Sequence, residues 1–369
     1  MKSPRRVLIV QPYGIGDLLF LTPVFRALRL IPSVEVVDLL LGSRTEAVVA
    51  SNPHVDKIFN VDKDLIHRQG RLKNIQDLLG LGGKLRERKY DLLIDYSLRG
   101  EYAFFAQFFL GIGKRAGFDY KRRGFFHTHR ISIADGFRGR HAVESVCQLA
   151  EAAGIRVEER FLEFYVTEKD RQAASDWISK FGLEQKKILI LSPGGGESWG
   201  KDAFFKRWPA RFFAEFLDKI RPYCSFDGVL ILGSSKERAL AQEISNLLRV
   251  ENRNCAGELS LGEAAALMER AALLVGNDGG LVHLARALRL PLIAFYGPVD
   301  PQVYGPYPPC GNAAAVYKEE LSCRPCYVKF RYNSSCVGRE CLQDLRPDEA
   351  IEFLKQKNFF EALASPRLH

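Results

Sequence analysis

Three short stretches carry side chains able to do chemistry, and each lies beside glycines. In the first, VLIVQPYGIGDLLFLT at Val7–Thr22, Asp17 follows Gly14 and Gly16. A carboxylate there either answers the dipole of a starting helix or projects over the strand's carboxyl end, where it can take a proton. In the second, Lys206, Arg207, Trp208 and Pro209 follow Pro193, Gly194, Gly195 and Gly196. A lysine beside backbone N–H groups at a helix N-terminus receives a diphosphate well, since charge and dipole act in one direction. The plainer reading is a solvated Lys-Arg pair ahead of a proline-started helix. The third is Asn277, Asp278, Gly279, Gly280 and His283. An acid and an imidazole offer hydrogen bonds to hydroxyls, and the glycines let a ligand touch backbone; a lone histidine near a helix start can also be purely structural.

The elements that must position these residues alternate between strand and helix. Val7–Val10 is a short apolar run suited to a strand buried on both faces, and Leu18, Leu21, Phe25 and Leu28 recur at steps of three and four, which predicts one helix from Asp17. Strands are expected at Val34–Leu41, Val55–Val61, Tyr90–Tyr96 and Phe161–Val166. Helices are expected at Ser43–Ala50, Ile75–Arg88, Ala142–Ala153 and from Thr167, with Asp170 as its capping partner, to Phe181. The pattern restarts after Gly182: Lys187–Leu191, Gly228–Gly233, Leu273–Gly276 and Pro291–Tyr296 read as strands, with Ser260 and Glu263 as a capping box between them. Alternation of this kind predicts βαβ units and parallel sheets. The expected organisation is α/β, with a first domain at 1–184 and a second at 185–369, a cleft between them and both sets of strand ends facing it. Pro347 starts a last helix to about residue 363, expected to pack back toward the first domain; a membrane-surface contact is the other reading of its apolar face.

Composition narrows the classes. Of 369 residues, 47% are hydrophobic and 26% charged, ordinary for a soluble globular chain. No apolar run approaches the ~18 residues of a membrane helix, and the start MKSPRR with four apolar residues after it is too short for a signal peptide's core. The cytoplasm is expected, with the cysteines reduced unless they hold a metal. The formal charge is +9, and between Lys114 and Arg140 eight basic residues face two acidic ones. That stretch attracts anions, whether nucleic acid, lipid headgroups or a phosphorylated glycan, or is simply a solvated loop. A dinucleotide fingerprint fails: Gly14 and Gly16 follow a strand, but Leu19 stands where a third glycine is needed, and Asp17 would repel a pyrophosphate. Cys323, Cys326, Cys336 and Cys341 have the spacing of a four-thiolate zinc site, with reduced structural thiols as the default.

Taken together, four segments resemble glycosyltransferase family 9, the ADP-heptose:lipopolysaccharide heptosyltransferases. They are Gly14-Ile15-Gly16-Asp17; Pro193-Gly194 with Lys206-Arg207-Trp208-Pro209; Asp278-Gly279-Gly280-Leu281-Val282-His283; and Tyr296-Gly297-Pro298-Val299-Asp300-Pro301. Arg115-Ala116-Gly117-Phe118, His141 and Glu144 resemble the family's acceptor-side region. The resemblance implies a GT-B architecture of two Rossmann-like domains, acceptor on the first and nucleotide-sugar on the second, with inversion at the anomeric carbon and neither metal nor cofactor. It implies Asp17 as general base. On the donor side it implies Lys206 for the diphosphate, Gly194, Gly195, Asp278, Gly279, Gly280 and His283 as contacts, and Glu237 for the ribose. On the acceptor side it implies Gly14, Gly16, Arg115, Arg122, Arg123 and His141. The implied partners are an ADP-sugar, a phosphorylated lipopolysaccharide core precursor and the inner membrane surface, with no nucleic acid. Two departures stand out: Gly279 replaces the family's usual Thr or Ser, and Glu197–Phe205 is longer than usual. A GT-B nucleotide-sugar epimerase and a non-catalytic polyanion binder are the competing readings.

Overall fold

Strand β1 (Arg6–Gln11) is buried along its length because it lies inside a parallel sheet, with Val7 opposite Val37 of β2 (Val36–Leu41) on one side and Leu92 of β4 (Leu92–Asp95) on the other. With β3 (Lys57–Asn60), β5 (Lys114–Asp119) and β6 (His129–Ser132), the order is β3-β2-β1-β4-β5-β6. The computed structural model describes residues 4–61, 80–137, 139–332, 336 and 338–364. Arg138 and the first part of the helix expected at Ile75–Arg88 lie outside them; residues 80–87 are helical.

The single helix expected from Asp17 is two, α1 (Ile15–Leu19) and α2 (Thr22–Arg29). Pro23 has no N–H to give the Leu19 carbonyl, and the Thr22 hydroxyl donates to that oxygen instead, at 2.8 Å. Ser43–Val48 is a 3₁₀ helix rather than an α-helix. Phe161–Val166 forms no strand. Its ring and carbonyls serve Arg26, whose guanidinium lies 3.8 Å from the centre of Phe161 and pairs with Glu163 at 2.6 Å. The basic stretch contains the parallel neighbours β5 and β6, joined by residues 120–128 alone. Two further helices complete what the first site needs, α3 (Glu101–Phe108) and α4 (Ala142–Ala152).

The second sheet has order β12-β11-β10-β7-β8-β9, from β7 (Ile188–Ser192), β8 (Gly228–Ile231), β9 (Glu251–Asn254), β10 (Leu273–Asn277), β11 (Leu292–Phe295) and β12 (Ala313–Val316). Counted within each sheet, both orders are 3-2-1-4-5-6, the Rossmann order, and both reverse between their first and fourth strands, a fork where ligands of open α/β sheets bind. The second core is built on Trp208, which stacks on Phe295 at 3.8 Å and meets Phe213 and Phe216 edge-on.

Contacts divide the chain between Tyr165 and Val166, some residues before the cut expected at 184. Helix α5 (Glu168–Lys180) belongs to the second unit because it packs on α8 (Leu261–Arg270), the helices α6 (Ala210–Ile220) and α7 (Arg238–Leu247) lying between them in the chain. Arg171 pairs with Glu269 at 2.9 Å, and Gly262 lies so near Asp170 that a Cβ there would come within 2.4 Å of its carboxylate. After α9 (Gly280–Ala287), the chain ends in α10 (Pro347–Gln356) and α11 (Phe359–Ala364). These last helices pack on the core of their own unit. Ile351, Leu354 and Phe359 join Phe212 and Phe216 in one core, and Lys219 bonds Asp348. That burial also removes the apolar face the membrane-surface reading required. Among the described residues no helix is long and apolar enough to cross a membrane.

Candidate active site

At the first fork, Asp17 occupies the third position of α1, half-buried, and its Oδ2 accepts the Gly14 N–H at 3.0 Å. Gly14 and Gly16 therefore shape the turn that presents this carboxylate. Beside it, the Tyr13 hydroxyl accepts the Leu98 N–H at 3.0 Å, and burial pushes its phenol pKa upward. Across the fork, β4 ends in Asp95, which is fully buried. Its Oδ1 accepts the Ser97 N–H at 2.9 Å and its Oδ2 lies 3.3 Å from His127 Nε2. The imidazole is seated on Gly117, where a Cβ would come within 2.2 Å of the ring. Burial raises the Asp95 pKa, opposed by His127 and Ser97. This pair ties the loop after β4 to the loop between β5 and β6. The sequence reading missed it, although an acid closing an otherwise apolar central strand was the available signal.

The acceptor-side residues separate into structural and exposed groups. Arg115 is not open to an anion: its guanidinium donates to the carbonyls of Phe126 at 2.7 Å and Gly113 at 3.0 Å and to Gln107 Oε1 at 3.0 Å, and burial lowers its pKa. The expected acceptor contact is thus a structural tie. His141 caps α4, its Nδ1 accepting the Val143 N–H at 3.1 Å, and its ring meets Phe20 edge-on at 5.6 Å. Arg122 and Arg123 line a cavity of about 500 Å³ with Arg99, Glu101, Phe125 and Phe126. Left-handed backbone at Lys121 and Arg122 (φ 54° and 60°) and the Gly124 N–H bonded to Asp119 Oδ1 at 3.0 Å fold this loop tightly.

At the second fork, Lys206 and Asp278 meet as a buried ion pair, Nζ to Oδ2 at 2.8 Å. The ammonium also lies 4.7 Å from the centre of the Trp199 ring. It carries three donors, and Asp278 engages it from one side. Asn277 fixes both neighbours. Its amide nitrogen donates to the carbonyls of Pro193 at 2.7 Å and Gly194 at 3.2 Å, and its oxygen accepts the Trp208 N–H at 3.1 Å. Glu237, expected at the ribose, accepts N–H groups from Gly195 at 3.3 Å and Ser234 at 2.9 Å, so its carboxylate also holds the glycine turn. A Cβ on Gly194 would fall 1.9 Å from Glu237 Oε1, and one on Gly195 2.4 Å from the Ala203 carbonyl. Gly279 differs: its backbone is extended, and the nearest atoms to a Cβ are 3.7 to 3.9 Å away, among them Gly196 N. Gly280 opens α9, and His283, also in its first turn, is buried. Among the described residues no group of three or more His, Cys, Asp or Glu is placed to hold a metal ion. Cys341 is buried, its thiol pushed up to about 12, while Cys323 is exposed and Cys326 and Cys336 are half-buried.

Three outcomes follow from this geometry. His127→Leu should cost about 3 kcal/mol or more at pH 7, because it strands a buried carboxylate. The cost should shrink at pH 5, since burial raises the folded pKa of Asp95 and the penalty fades as it takes up a proton. Asp95→Asn leaves a side chain that can still hydrogen-bond His127 and should cost less; urea denaturation at both pH values measures this. Lys206→Met should lose about 3 to 5 kcal/mol, with much of it restored by adding Asp278→Asn, as read from a double-mutant cycle. Gly279→Ser should leave stability within a few tenths of a kcal/mol, as a serine can cap α9, whereas Gly194→Ala should lose about 1 to 3 kcal/mol to overpacking; thermal melts decide.

Comparison with known proteins agrees with this arrangement. The model of glycosyltransferase family 9 (heptosyltransferase) matches residues 78–335. Lipopolysaccharide heptosyltransferase 2 of Escherichia coli K12 is 27% identical over 364 residues, covering 95% of this chain and 97% of that protein. Lipopolysaccharide heptosyltransferase 1 of Pseudomonas aeruginosa is 26% identical, covering 95% and 94%. The solved structure of E. coli ADP-heptose lipopolysaccharide heptosyltransferase II superposes with a TM-score of 0.72 at 23% identity, over 96% of this chain and 99% of that one. The iron-containing dodecameric heptosyltransferase TibC of E. coli shares the fold at a TM-score of 0.57 and 14% identity, over 98% and 77%. The two units are thus the Rossmann-like pair of a GT-B protein, and the chain belongs to glycosyltransferase family 9.

Proposed function

We propose that this glycosyltransferase transfers heptose, or a closely related sugar, from an ADP-sugar to a phosphorylated lipopolysaccharide core precursor, with inversion and without a divalent ion. The observation that carries the reading is the buried Lys206 at the fork of the second sheet, beside the turn of Gly194 and Gly195. A cation in a low-dielectric setting, next to backbone donors, offers fixed compensation for a diphosphate whose negative charge grows as it leaves. Relatives named as lipopolysaccharide heptosyltransferases, matched along 95% of the chain, support the sugar and the acceptor.

The chemistry divides between the two units. An acceptor hydroxyl is a weak nucleophile. Asp17 takes its proton as the oxygen bonds to the anomeric carbon, and the carbon–oxygen bond to the diphosphate breaks with both electrons going to ADP. Asp278, Gly279 and Gly280 face the donor, with His283 behind them. Arg122 and Arg123 receive the acceptor's phosphates through charge-assisted hydrogen bonds. The work takes place in the cytoplasm, at the inner face of the membrane where such an acceptor resides.

The test is incubation with ADP-heptose, with and without acceptor. Transfer that requires acceptor supports the reading, conversion of the donor alone makes the protein an epimerase, and salt-sensitive polyanion binding without chemistry makes it a binder. Asp17→Asn should retain donor affinity while turnover falls roughly 10²- to 10⁴-fold; turnover near wild type would remove Asp17 as the base.

A further inference from the structure

Helix α3 carries more aromatic surface than its core takes up, Tyr102 and Phe105 packing on that core. Its alanines, Ala103 and Ala106, point inward and are buried, while Phe104 and Phe108 point outward with 42% and 59% of their surface exposed. Phe109, which ends the helix, is 55% exposed, and Phe125, from the loop between β5 and β6, is 76% exposed. These rings form one patch: Phe104 lies 4.8 Å from Phe108 and 5.2 Å from Phe126, and Phe126 lies 5.3 Å from Phe125, centre to centre. Proteins that work only in water rarely leave such a patch uncovered.

The patch runs directly into the arginine-lined cavity, since Phe125 and Phe126 belong to both. Arg99, Arg122 and Arg123 stand there against one acid, Glu101, which Arg99 already pairs at 2.9 Å. The surface is therefore aromatic in its middle and cationic at its rim. We propose that the outer face of α3, with the tip of the loop between β5 and β6, docks on an anionic lipid bilayer. The rings enter the boundary between headgroups and acyl chains, and the arginines meet lipid phosphates. Charge complementarity selects this occupant: a neutral bilayer gives the guanidinium rim nothing to pair with, whereas each arginine near an anionic surface strengthens attachment by about fivefold. The inference rests on the reading that the acceptor is membrane-borne. It adds where the bilayer sits, placing lipid phosphates and the cavity proposed for acceptor phosphates on one continuous surface.

The experiment is flotation of the full chain with vesicles of phosphatidylethanolamine and phosphatidylglycerol, and with phosphatidylcholine alone. The chain should float with the first, less so as salt rises, and much less with the second. Phe108→Ser combined with Phe109→Ser should reduce flotation by about tenfold or more, with an unchanged melting temperature and unchanged transfer to a water-soluble acceptor fragment. Flotation of the double variant at the wild-type level would overturn the proposal, as would equal binding to both vesicle types or none to either. A wild-type dimer that the same substitutions turn into a monomer, seen by light scattering, would assign the patch to a second copy instead. Loss of all sugar transfer with flotation intact would overturn the enzymatic reading and leave the docking surface standing.

Discussion

One carboxamide holds the fork of the second sheet together. Asn277 ends β10 where the chain order reverses, and its amide satisfies two carbonyls from the turn after β7 and one N–H at Trp208. Loop backbone brought inside a protein must find partners or lose several hydrogen bonds' worth of stability. Here a single side chain supplies three of them. Trp208 is in turn clamped, stacked on Phe295 and with its indole N–H given to the Leu345 carbonyl at 2.8 Å. Lys206, two residues earlier, inherits its position from this clamp. The Lys206 ammonium is thus an extension of the core rather than of a free loop.

The first sheet solves the same problem with other chemistry. Asp95 ends β4 as Asn277 ends β10, each at the close of its sheet's fourth strand. Asp95 holds the Ser97 N–H and His127, and so fixes the two loops that carry Arg99, Arg122 and Arg123. Each fork therefore has a buried polar residue that organises neighbouring loops and a second charged residue beside them. In the first that residue is Asp17, on the other side of the fork; in the second it is Lys206, balanced by Asp278. The two charges are of opposite sign, as the proposed division into proton removal and diphosphate binding requires.

Much of this was legible in the residues. The strands flanking both forks are continuous apolar runs because they are covered on both faces, and the glycine turns after β1 and β7 marked where those strands end. Of the four sheet edges, β3 fell within the strand expected at Val55–Val61, and the other three were not legible. β6 and β9 read HRIS and ENRN, short and without an apolar run, because an edge strand has less to bury, and β12 reads AAAV, four residues whose small side chains carry little strand signal. Arg115 looked like the arginines around it, since nothing local distinguishes a guanidinium spent on carbonyls from one facing water. The pairing of Asp95 with His127 depends on β5 carrying Gly117 beside β4, a register that only tertiary structure sets. The boundary between units was misplaced for a related reason: α5 follows the first unit in sequence, but its partners Glu269 and Gly262 come about a hundred residues later.

The connection between β5 and β6 has a further bearing on how this surface can bind. Parallel neighbours are ordinarily joined by a crossover of about a dozen residues or more, and residues 120–128 do it with less, using left-handed backbone at Lys121 and Arg122. A loop folded back on such turns holds its side chains with little freedom left to lose, so the anion proposed to bind there would meet a pre-organised frame.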